Sequence, residues 1–471
     1  MNKYEVIIGI EVHLELNTVT KMFSSSPISF NARPNTMVNE IDLGYPGALP
    51  IVNEQGVVKA IQLAKALEME IDPLLRFDRK NYFYPDLPKG FQITQQFHPL
   101  GRNGKLVIED ETGKSFNVMI ERIHLEEDTA KSIHQDNVTL LDYNRAGIGL
   151  IEIVTKPCLK TAYQVAKYIN MLRLVALSLN ISDAKMEEGS LRVDVNLSLK
   201  HVNDMFLGTK VEIKNLNSVN NVVKAIEYEI NEQVACLDNG LVVKQATKRF
   251  DEKSQKTVVM RLKSDTIDYK YFPEPNLPPI KLSDDFINNI FIPELPWAQK
   301  ARYEADGIDN QFIKQLLNSQ DKAQFFDQID FAHKNDGAKI FFGEIVALAN
   351  RENKLVSELK IDPKQFSYAL KLFKNQIISL QHLKKIVPKL IYNNQTVDEI
   401  IEQLDLVQID DKAQLSAIIK EIIEQNYDFV IKNKHLPQRV IKFILGQVMK
   451  KTNGKANPQI ASDIAKKLTE K

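Results

Sequence analysis

Cysteine is nearly absent: Cys158 and Cys236 are the two in 471 residues. Two thiols cannot build a disulfide framework or a four-cysteine zinc site, and they suit a reducing, cytosolic compartment. Long apolar runs are missing as well, and no stretch approaches the ~20 residues that cross a bilayer. The first apolar run stops at Glu11 with no small-residue cleavage site behind it, so no signal peptide is expected. There is no excess of either charge, with 61 Lys plus Arg against 61 Asp plus Glu, so net charge points to no class of partner. The usual phosphate cradles are also lacking. The best approach to a P-loop is GKS at 113–115, and its first glycine would fall on Ile108. GxGxxG, GxSxG, kinase HRD and HExxH patterns do not occur. If the chain handles a nucleotide, it does so on another scaffold.

What is present is an ordinary globular composition, 44% hydrophobic and 26% charged, in a chain long enough for roughly three domains. The part up to about residue 291 is rich in strands and hairpins. SLRVDVNLSLK (190–200) alternates without interruption, with Leu191, Val193, Val195, Leu197 and Leu199 on one face and Arg192, Asp194, Asn196 and Ser198 on the other. KVEIKNL (210–216) alternates similarly, placing Lys210, Glu212 and Lys214 together. Helical spacing marks 56–70, 161–179 and 220–237. This mixture predicts an α+β domain over 1–291. The prolines of 273–296 read as a linker. Beyond it the pattern is helical, for example over 312–329, 337–352 and 413–426. The expectation is an all-α domain over 292–405 and an all-α tail over 406–471. Residues 431–471 hold ten basic side chains against two acids, a balance that fits either a phosphate-backbone contact or a solvated helical surface.

Several clusters could carry chemistry. EVHLEL (11–16) puts Glu11, His13 and Glu15 on one side of a strand and Val12, Leu14 and Leu16 on the other. IHLEEDTAKSIH (123–134) gathers His124, Glu126, Glu127 and Asp128, and MEEGSLRVD adds Glu187, Glu188 and Asp194. Glu212 is a further candidate. Each could be a solvated edge or turn. Together they could also form one oxygen-rich divalent site, which would suit Mg²⁺ or Mn²⁺ rather than a thiolate-seeking metal. DRKNYFYPDLPKGFQITQQ (78–96) sets Arg79, Lys80 and Lys89 around Tyr82, Phe83 and Tyr84. That is either a core loop with solvated lysines or a nucleotide-binding surface.

IGIEVHLEL, LGYPGALPIVN, DRKNYFYPDLPKGFQITQ, HLEEDTAKSIH, LIEIVTKP, MEEGSLRVDVN, EIKNLNS, YKYFPEPNLPP, IPELP and GQVMKKTNGKANP occur in this order. In these motifs the chain resembles, from residue 4 to its end, the B subunit of the bacterial aspartyl/glutamyl-tRNA(Asn/Gln) amidotransferases. The resemblance implies a cradle-like α+β kinase and transamidase domain (1–291), a helical domain (292–405) and a tRNA-binding tail (406–471). It implies a ligase that uses ATP and Mg²⁺, with Mn²⁺ as an alternative. This ligase phosphorylates the side-chain carboxylate of Glu or Asp on a misacylated tRNA, and ammonia then displaces phosphate. The ammonia would come from a partner amidase (glutaminase) chain, with a small third chain bracing a cytoplasmic heterotrimer and no membrane involved. A non-catalytic, tRNA-binding scaffold for the amidase is the alternative. By resemblance the metal ligands are Glu11, His13, Glu127, Asp194 and Glu212. The nucleotide contacts are Arg79, Lys80, Glu126, Glu188 and Lys210. Glu127, Lys80 and Lys89 are the catalytic candidates, Glu127 to deprotonate ammonium and the lysines to meet phosphate or line the ammonia exit.

Overall fold

The first strand, β1 (Tyr4–Glu15), runs through the middle of a nine-stranded sheet. The structure is a computed structural model that describes residues 3–262, 268–393, 395–406, 409, 411–433, 435–452 and 455–469. The other strands of this sheet are β2 (Glu70–Ile71), β3 (Gly101–Glu109), β4 (Ser115–Glu127), β5 (Gly149–Thr155), β6 (Leu191–His201), β7 (Val211–Lys214), β8 (Ala246–Asp251) and β9 (Lys256–Leu262). Their order in space is β9-β8-β7-β6-β1-β5-β4-β3-β2. Every neighbouring pair is antiparallel except β7 and β8. A parallel pair needs a crossover, and the helix Val219–Asp238 supplies it.

Period-two alternation decides which face is buried. Val12, Leu14, Ile151, Ile153, Leu125, Val193 and Val195 are all buried, and they pack under three helices, α1 (Glu54–Ala66), α2 (Ala162–Ser178) and α3 (Val219–Asp238). Each helix starts at a side-chain cap. Asn53, Thr161 and Ser218 accept from the backbone N–H of Gln55, Gln164 and Asn221. The helical spacing over 56–70 overruns the real end: Glu68 adopts φ 54, and Glu70–Ile71 pairs with β3 instead. The opposite face of the sheet carries the polar residues.

The proline-rich stretch is not a free linker. Phe272–Pro273 pairs with Arg79 and Asp78, Ile280–Lys281 pairs with Leu75 and Leu74, and Leu277 and Leu282 are buried in the first core. Proline at a strand edge forfeits no ladder bond, so prolines and sheet pairing coexist here. Asp78–Asn81 also pairs with Phe91–Thr94, which fixes the loop carrying Lys89.

The first compact unit ends at Gln299 and the second spans Lys300–Lys471. The described residues of the second are helices and turns, with one isolated bridge between Ile409 and Ala456. The run 312–329 divides into Asn310–Leu317 and Gln320–Asp327, because Ser319 caps the second helix through Lys322 N–H. This unit has two separate cores. One contains Phe325, Phe341, Phe366 and Leu370, and the other contains Leu415, Ile419, Ile444, Val448 and Ala461. Among the described residues no helix is long and apolar enough to cross a membrane.

Candidate metal and phosphate site

Backbone register turns distant motifs into neighbours. His13 lies opposite Glu152, and Glu152 lies opposite His124. On the other side His13 faces Arg192 and Glu11 faces Asp194. One polar row therefore runs Arg192–His13–Glu152–His124 across β6, β1, β5 and β4. His13 Nε2 is 3.4 Å from Glu126 Oε1, 3.4 Å from Glu152 Oε2 and 3.7 Å from Glu11 Oε1. His124 Nε2 is 3.3 Å from Glu152 and 3.7 Å from Glu126. Among the described residues two overlapping sets have ligand atoms close enough to share a cation: Glu11, His13 and Asp194, and His13, Glu126 and Glu152. Carboxylate oxygens plus an imidazole are the donor chemistry of Mg²⁺ and Mn²⁺, so the residues fit such an ion.

The electrostatics follow from this crowding. Burial opposes a charge on His13, but its hydrogen bond to Glu152 and the charges of Glu126, Glu152 and Glu11 outweigh that and raise it to about 9. His124 is likewise opposed by burial and raised to about 9 by Glu152 and Glu126. Burial acts against the Glu152 carboxylate too, yet the two imidazoles hold it well below the usual range. Burial and the Glu152 charge push Glu11 up.

A cavity of about 390 Å³ opens over the Arg192–His13 end of this row. His13, Glu126, Asp194, Lys80 and Lys214 line it, with Tyr82 beside them. Lys80 Nζ lies 5.0 Å from the Tyr269 ring and 6.0 Å from that of Tyr82, within the field of Glu126 and Glu152. Lys214 Nζ bridges Asp194 at 2.6 Å and Glu212 at 3.1 Å. At the end of β1, Glu15 meets Asp128, which also takes Arg192 at 3.0 Å and Arg145 at 3.6 Å. Arg145 is delivered by a turn whose Gly147 has φ +87, where a Cβ would also lie 2.8 Å from Asp42 Oδ1.

The expected site residues divide accordingly. His13, Asp194, Glu126 and Lys80 meet at the cavity, and Glu11 joins them through His13 and Asp194. Glu212 stands one row away, tied to it through Lys214 and holding Thr247 Oγ1 at 2.9 Å. Glu127 does not join the group. Strand parity turns it to the face opposite Glu126, where its carboxylate pairs with Lys89 and accepts from Ile93 N–H at 2.9 Å. Lys89 is therefore committed to that pair. Arg79 is bound through two bonds to the buried Glu274, at 2.6 and 3.1 Å, and lies 3.8 Å over the Phe91 ring. Glu188 is exposed and paired with Lys185, and Lys210 borders a different hollow. Sequence reading did not assign Glu152 at all. Its signal was a lone acid inside the buried run GLIEIVT. His124 was grouped with the acids but given no role, and Lys214 and Arg192 were given none, because only the register supplies their partners.

Residues 6–288 match the model of the GatB/GatE catalytic domain, and residues 324–468 match that of the GatB domain. The B subunit of the aspartyl/glutamyl-tRNA(Asn/Gln) amidotransferase of Mycoplasmopsis agalactiae is 51% identical over 468 residues, 99% of each chain. Those of Mycoplasma mobile and Malacoplasma penetrans are 49% and 46% identical over 467 and 472 residues, at least 97% of every chain. With domain models covering well over half of its length and such identity from end to end, the chain belongs to the family of aspartyl/glutamyl-tRNA(Asn/Gln) amidotransferase B subunits.

Proposed function

We propose that this chain activates the side-chain carboxylate of Glu-tRNA(Gln), Asp-tRNA(Asn) or both with ATP, and then completes the amide with ammonia. The observation that carries this reading is the acid–imidazole row beneath a cavity edged by Lys80 and Lys214. A carboxylate is a poor electrophile, so the reaction first gives it a leaving group. The carboxylate oxygen takes the terminal phosphoryl group and ADP departs. Ammonia then attacks the acyl carbon, phosphate leaves and the amide remains. Such transfer depends on positioning and on charge neutralisation more than on covalent participation.

Glu11, His13, Asp194, Glu126 and Glu152 are the residues that would hold Mg²⁺ or Mn²⁺. A cation held by them supplies charge neutralisation to phosphate oxygens. Lys80 offers an ammonium group to the same phosphates, Lys214 one that it shares with Asp194 and Glu212, and Arg192 a guanidinium that it shares with Asp128 at the row's end. We leave Glu127 out of the ligand set, since Lys89 and the Ile93 N–H already occupy its carboxylate. The hollow polar face serves as the cradle over which the amino acid on the tRNA 3′ end lies. The partners are an amidase chain that releases ammonia from glutamine, a small third chain, and the misacylated tRNA, in the cytoplasm. The domains in this reading are a catalytic one over 1–291, a helical one over 292–405 and a tRNA-binding tail over 406–471.

A scaffold that only docks the amidase has no use for carboxylates packed against lysines in a cavity. Incubating the assembled complex with labelled ATP and Glu-tRNA(Gln), with no ammonia source, separates the two. The expected result is ADP formation that depends on the tRNA. No such turnover would return the chain to a scaffold role.

A further inference from the structure

We infer that Tyr269, braced by Tyr82 and Tyr271, is a positioning residue that holds the Lys80 ammonium unpaired and aimed at the cavity, ready for a phosphate oxygen. This rests on the part given to Lys80 in the function proposed above and goes beyond it by naming what holds that lysine.

The lysines near the acids are held in two different ways. Lys214 Nζ is 2.6 Å from Asp194 and 3.1 Å from Glu212, Lys89 is paired with Glu127, and Lys21 Nζ is 3.1 Å from Asp42. Among the described residues Lys80 Nζ has no ion pair and no hydrogen bond. It lies instead over two rings, those of Tyr269 and Tyr82. A carboxylate restrains an ammonium by neutralising it and occupying its N–H groups. A ring face attracts the charge through its quadrupole and leaves all three N–H groups to a ligand. Lys80 therefore has no pair to break when phosphate arrives. Burial works against its charge, and Glu126, Tyr271, Glu152 and Tyr269 more than restore it.

Non-local pairing brings Tyr269 to this place. Phe272 and Pro273 lie opposite Arg79 and Asp78. Asn81 donates from its backbone N–H to the Tyr269 carbonyl at 3.0 Å, and from Nδ2 to the Lys270 carbonyl at 2.8 Å. Alternation along Asp78–Asn81 separates two layers. Arg79 is bound on one side by Glu274, with the Phe272 ring 5.8 Å away. Lys80 turns to the other side, into the cavity. Between the two tyrosines Lys270 takes φ 46, a left-handed conformation that is unfavourable for a residue with a Cβ. Such strain persists where the surroundings enforce it, and it clusters at functional sites. The rings on either side of this kink meet edge to face at 6.0 Å. Tyr82 meets Tyr269 in the same manner at 6.0 Å, and Phe97 backs Tyr271 at 6.3 Å. The ring that Lys80 faces is thus fixed from two sides.

Steady-state kinetics of the complex assembled with the amidase and third chains, supplied with ATP and Glu-tRNA(Gln), test the assignment. Tyr269→Leu should lower kcat about tenfold, the size of one partly desolvated contact between an ammonium and a ring, with KM for ATP and for tRNA within about twofold. Tyr269→Phe keeps the ring and should restore kcat to within about threefold of wild type. Phenylalanines carrying one, two and three fluorines at position 269 keep the shape and drain charge from the ring face. Turnover should fall with each fluorine while thermal unfolding stays unchanged, which a purely structural ring would not produce. A flat fluorine series, or unchanged kcat in a folded Tyr269→Leu complex, overturns the positioning role alone. If Tyr269→Leu does not assemble, the fluorine series decides. Lys80→Met should cost at least as much as Tyr269→Leu. Wild-type rates in Lys80→Met remove Lys80 from the reaction, and the positioning role with it.

Discussion

Glu152 stands between two imidazoles, and each of its neighbours needs it for a different reason. Without a cation its carboxylate stabilises both His13 and His124 in their charged forms. With one, it becomes a candidate ligand. Glu152→Gln keeps the shape and removes the charge. It should lower tRNA-dependent ATP turnover on the order of 100-fold and weaken Mn²⁺ binding, read by electron paramagnetic resonance. Glu127→Gln, on the other face of β4, should leave Mn²⁺ affinity nearly unchanged. Equal losses of Mn²⁺ binding in the two variants would contradict the division of the acids drawn from strand parity. Glu15 supports a prediction about pH. Burial and the Asp128 carboxylate raise it from 4.5 to about 8. The folded state therefore holds this proton more tightly than the unfolded chain. The associated stability is complete below about pH 4.5 and drains away as pH rises toward 8. Glu15→Gln should flatten that part of the stability–pH curve in urea titrations. An unchanged curve would show that the Glu15 proton is not shared with Asp128.

At the scale of elements, α3 is fastened to the parallel end of the sheet by one buried acid. Glu229 is fully buried and accepts from Lys248 Nζ on β8 at 2.9 and 3.0 Å, from Thr257 Oγ1 on β9 at 2.7 Å and from Gln233 Nε2 at 3.0 Å. Removing one partner of a buried pair leaves the other charge uncompensated, at about 3–5 kcal/mol. Glu229→Ala should lower the unfolding free energy by that order, measured by denaturant titration. A cost under about 1 kcal/mol would mean that water reaches Lys248 freely. The helices themselves were legible from apolar spacing of period 3.6, and the structure adds the caps Thr161 and Ser218 that start two of them. The proline-rich stretch was misleading for a physical reason. Proline bars a residue from donating in the ladder but not from lying at an edge, and the pairing of 272–273 with Asp78–Arg79 is non-local.

At the scale of the whole molecule, the tail supports a test of tRNA contact. Lys432, Arg439, Lys442, Lys450, Lys466 and Lys467 are exposed on helices that surround their own core. Leu406 belongs to the preceding core, so a cut after residue 410 leaves that core intact. Removing 411–471 should weaken tRNA binding and make the plot of log affinity against log salt shallower, because fewer counterions are released. Glutamine hydrolysis by the assembled complex should be largely unaffected. An identical salt slope with and without the tail would remove it from the tRNA interface.

Alone, the order of residues determined which side of each strand would be polar, because side chains alternate on an extended backbone whatever it pairs with. It also placed acids and imidazoles at 11–13, 124–128 and 194, and the motifs that carry the family likeness. It could not assign Glu152 to His13, because strand register is decided by pairing between segments about 140 residues apart. Nor could it turn Glu127 away from Glu126 into the hold of Lys89, or commit Arg79 to Glu274. Those choices belong to the packed chain, where each buried charge must find a partner and only the folded sheet brings the partners within reach.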